Sequence, residues 1–160
     1  MKSKISPCLW FNRDAEEAAK FYTSLLPNSA ITKVVKSPAD YPGGKEGAVL
    51  TVEFTLAGQS YLALNGGSAG VYTDALSLII ECKDQAEVDR LWDAFLKNGG
   101  KAAACGWLQD RWGMRWQITP EVLLRWVSDS DRAKAARVFK AMMDMVKIDI
   151  ATLQKAYEGT

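Results

Sequence analysis

The sequence predicts an α+β fold: two strand-helix-strands modules followed by a helical extension. Three observations predict it. A helix-opening aspartate with a glutamate three residues on occurs at Asp14/Glu17 and again at Asp84/Glu87, an offset of 70 residues. Each of these helices is preceded by an apolar strand and followed by alternating segments. After Pro120 the alternation stops, and helical spacing continues to the C-terminus.

The first strand is expected over Ile5 to Phe11. Asp14 opens a helix with Glu17 as its reciprocal capping partner, and Ala18, Phe21, Tyr22, Leu25 and Leu26 give it one apolar face. Pro27-Asn28 ends that helix. Ala30 to Lys36 reads as a strand, and Ser37 to Gly44, rich in turn residues, as a loop. Ala48 to Leu56 alternates around Val52 and Phe54. Ala57-Gly58-Gln59 turns the chain, and Ser60 to Asn65 returns as the hairpin partner. Gly66-Gly67-Ser68-Ala69-Gly70 is a connector. Ala75 to Cys82 is the next strand, with Leu76, Leu78, Ile80 and Cys82 on one face and Ser77, Ile79 and Glu81 on the other. The helix opened by Asp84 carries Val88, Leu91, Trp92, Phe95 and Leu96 as its stripe and ends at Asn98-Gly99-Gly100. Strands follow around Ala102 to Leu108 and Arg115 to Thr119, joined by a turn at Asp110-Arg111-Trp112-Gly113. Glu121 to Val127 is a short helix. Ser130 or Asp131 starts a longer one with Ala135, Val138, Phe139, Met142, Met143 and Val146 along one side, and Asp149 caps a last helix ending near Gly159.

The two halves align beyond their capping residues. Lys20 matches Arg90, Tyr22 matches Trp92, Leu25 matches Phe95 and Asn28 matches Asn98. Further on, Gly58-Gln59-Ser60-Tyr61 corresponds to Gly113-Met114-Arg115-Trp116 at an offset of 55. An internal duplication accounts for this. Residues 1–120 are read as one domain, with modules at about 1–67 and 75–120, and residues 121–160 as the helical extension. Each module is too small to close a core alone, so the two are expected to share one.

Composition narrows the function. The chain has 160 residues, 48% of them hydrophobic, with twenty Lys and Arg against nineteen Asp and Glu. Such a near-neutral chain has no built-in field for phosphate backbones, so no nucleic-acid partner is expected. No apolar run is long enough to span a bilayer. After Met1-Lys2-Ser3-Lys4 a short apolar stretch ends in Asn12-Arg13-Asp14, not in a small-residue cleavage site. A cytoplasmic protein with no membrane partner is the expectation. The chain has no histidine. The commonest general base and the commonest transition-metal ligand are therefore missing, and Ser-His-Asp and Cys-His catalysis are excluded. A metal held by carboxylates and carbonyls stays open at this point. Cys8, Cys82 and Cys105 form no CxxC pair and read as reduced, mostly buried thiols.

Several segments together resemble one family. They are Leu9-Trp10-Phe11, Ala15-Glu16-Glu17-Ala18-Ala19-Lys20-Phe21-Tyr22 and Ala63-Leu64-Asn65-Gly66-Gly67 in the first half. In the second half they are Gln85-Ala86-Glu87-Val88-Asp89-Arg90-Leu91-Trp92, Cys105-Gly106-Trp107-Leu108-Gln109-Asp110-Arg111, Trp116-Gln117 and Lys147-Ile148-Asp149-Ile150-Ala151. In these the chain resembles the PhnB-like branch of the glyoxalase/bleomycin-resistance/dioxygenase, or vicinal oxygen chelate, superfamily, a branch often labelled demethylubiquinone methyltransferase. The resemblance implies two paired βαβββ modules. In metal-binding members, ligands come from the first and last strands of each module and are His or Glu. The resemblance places those positions at Pro7 and Ser77, at Leu62 or Ala63, and at Gln117, none a good first-row metal ligand. No metal and no cofactor are therefore expected. The methyltransferase label would call for a glycine-rich strand-to-helix turn, and neither Gly43-Gly44 nor Gly66-Gly67 precedes a helix. Relatives commonly continue with proline and bulky residues after Gly66-Gly67, where this chain has Ser68-Ala69-Gly70, so a softer wall is expected there.

Superfamily folds curl each sheet around a pocket, and alternation says which residues face it. Ser77, Ile79, Arg115 and Gln117 are expected to point inward in the second module, and Pro7, Leu9 and Phe11 in the first. Trp107 and Trp112 are placed to line the mouth. Aromatic walls with a few polar groups suit a small hydrophobic or aromatic molecule, with Gln117 as a hydrogen-bonding group and Arg115 as a partner for an acid. Trp92, and Trp10 from its strand, are expected to pack the core. Three functional readings are weighed. The first is metal-independent small-molecule binding. The second is enzymology without histidine, with Glu53, Glu81, Gln117, Arg115 or Cys105 as candidates and Arg111 near Cys105 in sequence. The third is partner docking through the C-terminal helices. A homodimer is expected in each.

Overall fold

A computed structural model describes residues 4–68 and 70–160, and the chain divides into two units, one ending at Val71 and one beginning at Tyr72. Met1-Lys2-Ser3, and Ala69 in the connector expected to be soft, lie outside the described residues.

The first unit runs β1 (Cys8–Phe11), α1 (Ala15–Leu25), β2 (Ala30–Lys36), β3 (Val49–Leu56) and β4 (Gln59–Asn65). Its sheet has the order β1-β4-β3-β2, with β1 parallel to β4 and the other pairs antiparallel. The β3–β4 hairpin turns on Ala57 and Gly58, both at positive φ (47° and 84°), the turn geometry that matches strand twist. Leu9, Phe11, Val52, Phe54, Leu56 and Ala63 are buried on the sheet side facing α1, where Ala18, Ala19, Tyr22 and Leu25 are buried as well. The expected Asp14 side-chain cap does not form. Buried Asn65 takes the role instead: its Oδ1 accepts from the Ala15 N–H and its Nδ2 donates to the Val49 carbonyl, each at 2.9 Å. One side chain thus joins the end of β4 to the start of α1 and to β3.

The second unit repeats the plan with β5 (Ser77–Cys82), α2 (Gln85–Lys97), β6 (Lys101–Ala102), β7 (Trp107–Gln109) and β8 (Arg115–Pro120), in the order β5-β8-β7-β6. Here the capping pair does form. Asp84 accepts from the Glu87 N–H at 2.8 Å, and Glu87 accepts from the Lys83 N–H at 3.0 Å. The strand expected from Ala102 to Leu108 is split in two. Cys105 and Gly106 sit in the left-handed region (φ 59° and 79°), which interrupts the ladder. Their N–H groups donate to the carbonyls of Met145 and Val146 at 2.8 and 2.7 Å.

Those acceptors belong to the C-terminal segment, α3 (Glu121–Val127), α4 (Arg132–Met143) and α5 (Ile150–Glu158). Asp131 and Asp149 cap α4 and α5. Leu123, Val138, Ile148 and Leu153 form the core of this segment, and Trp126 stacks on Tyr157 at 5.1 Å. Gln85 on α2 fastens it a second time, donating to the Ile148 carbonyl at 3.1 Å and accepting from the Ile150 N–H at 2.8 Å. The extension is therefore tied to the second sheet by its backbone and to α2 by a side chain.

The turn between β7 and β8 is built on a buried carboxylate. Asp110 Oδ1 accepts from the N–H groups of Trp112 and Met114 at 2.9 and 3.0 Å, and its Oδ2 accepts from the indole N–H of buried Trp116 at 2.9 Å. Trp116 in turn packs on Phe95 of α2 at 5.0 Å between centroids.

Asp110→Ala removes the acceptor of three hydrogen bonds, one of them from the buried Trp116 indole. It is expected to cost about 3 kcal/mol, with Asp110→Asn intermediate, as read from urea denaturation. Burial, helped by the charge of Glu87, pushes the buried Cys82 thiol from its ordinary 9.0 up to about 12. The folded pKa lies above the unfolded one, so this contribution is full below pH 9 and is lost as pH rises toward about 12. The urea midpoint of the wild type is therefore expected to fall more steeply above pH 9 than that of Cys82→Ala.

Candidate functional site

In each unit the helix covers one face of the sheet, and the residues on the other face are set by register. On the second sheet two adjacent rows result. Lys101, Gln109, Arg115 and Ser77 lie side by side across β6, β7, β8 and β5, and next to them lie Trp107, Gln117 and Ile79. Ser77, Ile79, Arg115 and Gln117 occupy this uncovered face, alternating with Ile80, Cys82, Trp116 and Ile118, which are buried. Ile79 is 55% exposed, an aliphatic side chain left in the open.

The polar groups of this face are already engaged. Gln117 Nε2 donates to Ser77 Oγ at 2.8 Å, across the β8–β5 pair. Arg115 Nε donates to Asp74 Oδ1 at 2.5 Å, and its Nη1 donates to the Gly113 carbonyl at 3.0 Å. Beside them opens a cleft of about 550 Å³, lined by Asp74, Lys101, Trp107, Gln109, Arg115 and the Ala102–Ala104 backbone segment. Asp74, Lys101 and Gln109 were not singled out from the sequence. Gln109 could have been, since it lies two residues from Trp107 along β7 and shares its face. Asp74 carries no local signal, because it meets Arg115 only through the fold.

The first sheet corrects the sequence reading. Leu9 and Phe11, expected on the uncovered face, are 1% and 3% exposed against α1, and Pro7 shares their parity. Trp10, expected in the core, is 41% exposed on the other side, where its indole N–H donates to the Ser68 carbonyl at 2.9 Å. The cause is a single residue. Asn12-Arg13 separates β1 from the capping position Asp14, whereas Lys83 alone separates β5 from Asp84. Counting back equal distances from the two aspartates therefore shifts β1 by one position, and a shift of one exchanges the faces.

The uncovered row of the first sheet is Cys8, Leu62, Glu53 and Lys33. Glu53 lines a separate cleft of about 570 Å³ with Lys33, Ser60, Tyr61 and Leu62. Of the three thiols expected to be mostly buried, only Cys82 is; Cys8 stands exposed on this outer row and Cys105 is half-buried. Partial desolvation still raises the pKa of the Cys8 thiol, and burial raises that of the Tyr61 phenol. Glu81 lies exposed at the end of the second sheet, paired in register with Thr119. Cys105 sits on the β6–β7 turn with its sulfur 3.8 Å from that of Met143. Arg111 lies over the Trp112 ring at 4.8 Å. Trp112 is held at the β7–β8 turn by Asp110 and is absent from the cleft lining, whereas Trp107 forms part of it.

The register also resolves the candidate metal positions. Ala63 is fully buried, so Leu62 is the outward residue of β4, with Cys8 beside it; in the second unit Ile79 stands beside Gln117. The donors on offer are the exposed thiol of Cys8 and an amide bonded to Ser77. This set does not fit a first-row metal. Among the described residues, no group of three or more Cys, Asp or Glu could hold a metal ion. The methyl-donor cofactor suggested by the family's label fits no better, because the strand-to-helix connections Asn12-Arg13-Asp14 and Lys83-Asp84 contain no glycine.

Residues 3–119 match the family described as 3-demethylubiquinone-9 3-methyltransferase. Among solved structures, the PhnB protein from Bacillus cereus is 32% identical with a TM-score of 0.66, over 74% of this chain and 99% of that one. A protein from Pseudomonas aeruginosa is 19% identical with a TM-score of 0.61, over 75% of this chain and 98% of that one. The fosfomycin resistance protein FosX from Listeria monocytogenes is 13% identical with a TM-score of 0.52, over 75% and 93%. The last two share the fold only. No curated protein matches. The family match covers both sheets, and the Bacillus relative exceeds three-tenths identity over nearly its whole length, so the chain belongs to the PhnB-like 3-demethylubiquinone-9 3-methyltransferase family.

Proposed function

We propose that this protein binds a small hydrophobic or aromatic molecule without a metal, on the uncovered face of its second sheet. The observation that carries this reading is the pair of adjacent rows. Trp107 and exposed Ile79 flank Gln117, and directly beside them Gln109, Arg115 and Ser77 offer hydrogen bonds. A flat apolar body gains burial against the first row while the second fixes its orientation. The neighbouring cleft, about 550 Å³, is of the size that holds a small ligand. The donor set supports the metal-independent part, since one lone thiol, Cys8, and the engaged Gln117 amide do not make a first-row metal site.

Two outcomes are expected. In a thermal-shift screen of small aromatic compounds, hits raise Tm for the wild type, and Trp107→Ala weakens them by about tenfold, as expected when a large aromatic contact is removed. The melting curve of free Trp107→Ala stays close to wild type, because Trp107 is only half-buried. Incubation with Zn²⁺ or Ni²⁺ followed by gel filtration leaves no stoichiometric metal, by elemental analysis. Binding untouched by Trp107→Ala, or a retained metal, would overturn the reading.

A further inference from the structure

We propose that the ligand of this face is an anion, a small molecule with one carboxylate and a flat apolar body, and that Asp74 is the internal carboxylate that occupies Arg115 in its absence. The inference rests on the small-molecule reading above and names the chemical class.

Arg115 is the reason. Its side chain is only 22% exposed, and a guanidinium cannot shed its charge, so it needs an anionic partner. The partner the chain provides is 79% exposed. Asp74 sits in the turn before β5, held locally by the Ala75 N–H to Thr73 Oγ1 bond at 3.3 Å and the Leu76 N–H to Thr73 carbonyl bond at 3.5 Å. An exposed aspartate is well hydrated without its arginine, and such pairs contribute little to stability. Exchange of Asp74 for another carboxylate therefore costs little, whereas vacating Arg115 without replacement does not.

The surroundings favour an anion. The charged groups lining the cleft are Asp74, Lys101 and Arg115. With Asp74 turned out to water, two cations remain and no acid. Lys101, Gln109, Arg115 and Ser77 form one continuous row of donors. The row of Trp107, Gln117 and Ile79 lies two residues along the strands, about 7 Å away. A carboxylate on Arg115 and Gln109 thus places an attached ring system over Trp107.

The test uses naphthalene-2-carboxylate and naphthalene-2-carboxamide, titrated calorimetrically into the full chain at low salt. The acid is expected to bind at least about tenfold more tightly than the amide, the strength of a charge-assisted contact. Asp74→Asn, a surface change, is expected to tighten the acid several-fold and leave the amide unchanged. Arg115→Met is expected to bring the acid down to the level of the amide while the amide still binds, with circular dichroism confirming the fold. Equal affinities for acid and amide in the wild type, or a weaker acid in Asp74→Asn, would overturn the anion proposal alone. Failure of both compounds to bind wild type and Asp74→Asn alike would overturn it together with the small-molecule reading.

Discussion

Each four-stranded sheet in this protein carries its helix on one face only, and a helix can cover only one face. The remaining structure follows from that constraint. Alternation sends Val52, Phe54 and Ala63, and likewise Ile80, Trp116 and Ile118, to the helix side, where each large side chain contributes about 2 kcal/mol of burial. The same alternation leaves Cys8, Leu62 and Trp10 on one uncovered face and Ile79, Gln117 and Arg115 on the other. An exposed isoleucine beside a tryptophan and an engaged arginine marks a surface whose apolar burial is still incomplete.

Polar side chains fix the frame that presents this surface. Asn65 joins the last strand of the first unit to the start of its helix, and Asp110 pins the β7–β8 turn to Trp116. The Cys105–Gly106 turn and Gln85 bind the C-terminal helices to the second unit, so the helical tail braces the end of β7 that carries Trp107. Buried polar groups that are fully bonded hold a single arrangement, because breaking any one bond strands its partner. Arg115 differs from these. Its partner Asp74 is in water, which makes that contact the exchangeable one.

Much of the fold was legible in the residues. Asp84/Glu87 announced a helix, Ala57-Gly58 a hairpin, and Ser130 or Asp131 and then Asp149 the last two helix starts, because each is a local chemical signal. Ser77, Ile79, Arg115 and Gln117 were assigned to the right face for the same reason, since alternation is local too. The first strand was misread where a non-local quantity entered. Its parity depends on a connection one residue longer than that of its counterpart, and nothing in Asn12-Arg13 signals the extra residue. The Ala102–Leu108 strand broke at Cys105, a non-glycine residue held at positive φ by carbonyls some forty positions away. Asp110 was legible in principle, as an aspartate opening an Asp-Arg-Trp-Gly turn whose glycine takes φ 97°. Asp74 was not, since its significance lies wholly in the arginine it meets.

The chemistry that this fold can support is set by what stands on the uncovered faces. The thiol of Cys8, aliphatic side chains such as Leu62 and Ile79, and a Gln117 amide already bonded to Ser77 stand there. Recognition then falls to an aromatic wall and a row of donors. The most direct test is a titration with naphthalene-2-carboxylate followed by ¹⁵N-resolved NMR of the indole N–H groups and the Gln side-chain amides. This account predicts that Trp107 and Gln117 shift together and saturably, while Trp116 and Trp126 stay in place. Shifts confined to Trp10 or Trp126, or no shift at Trp107, would contradict it.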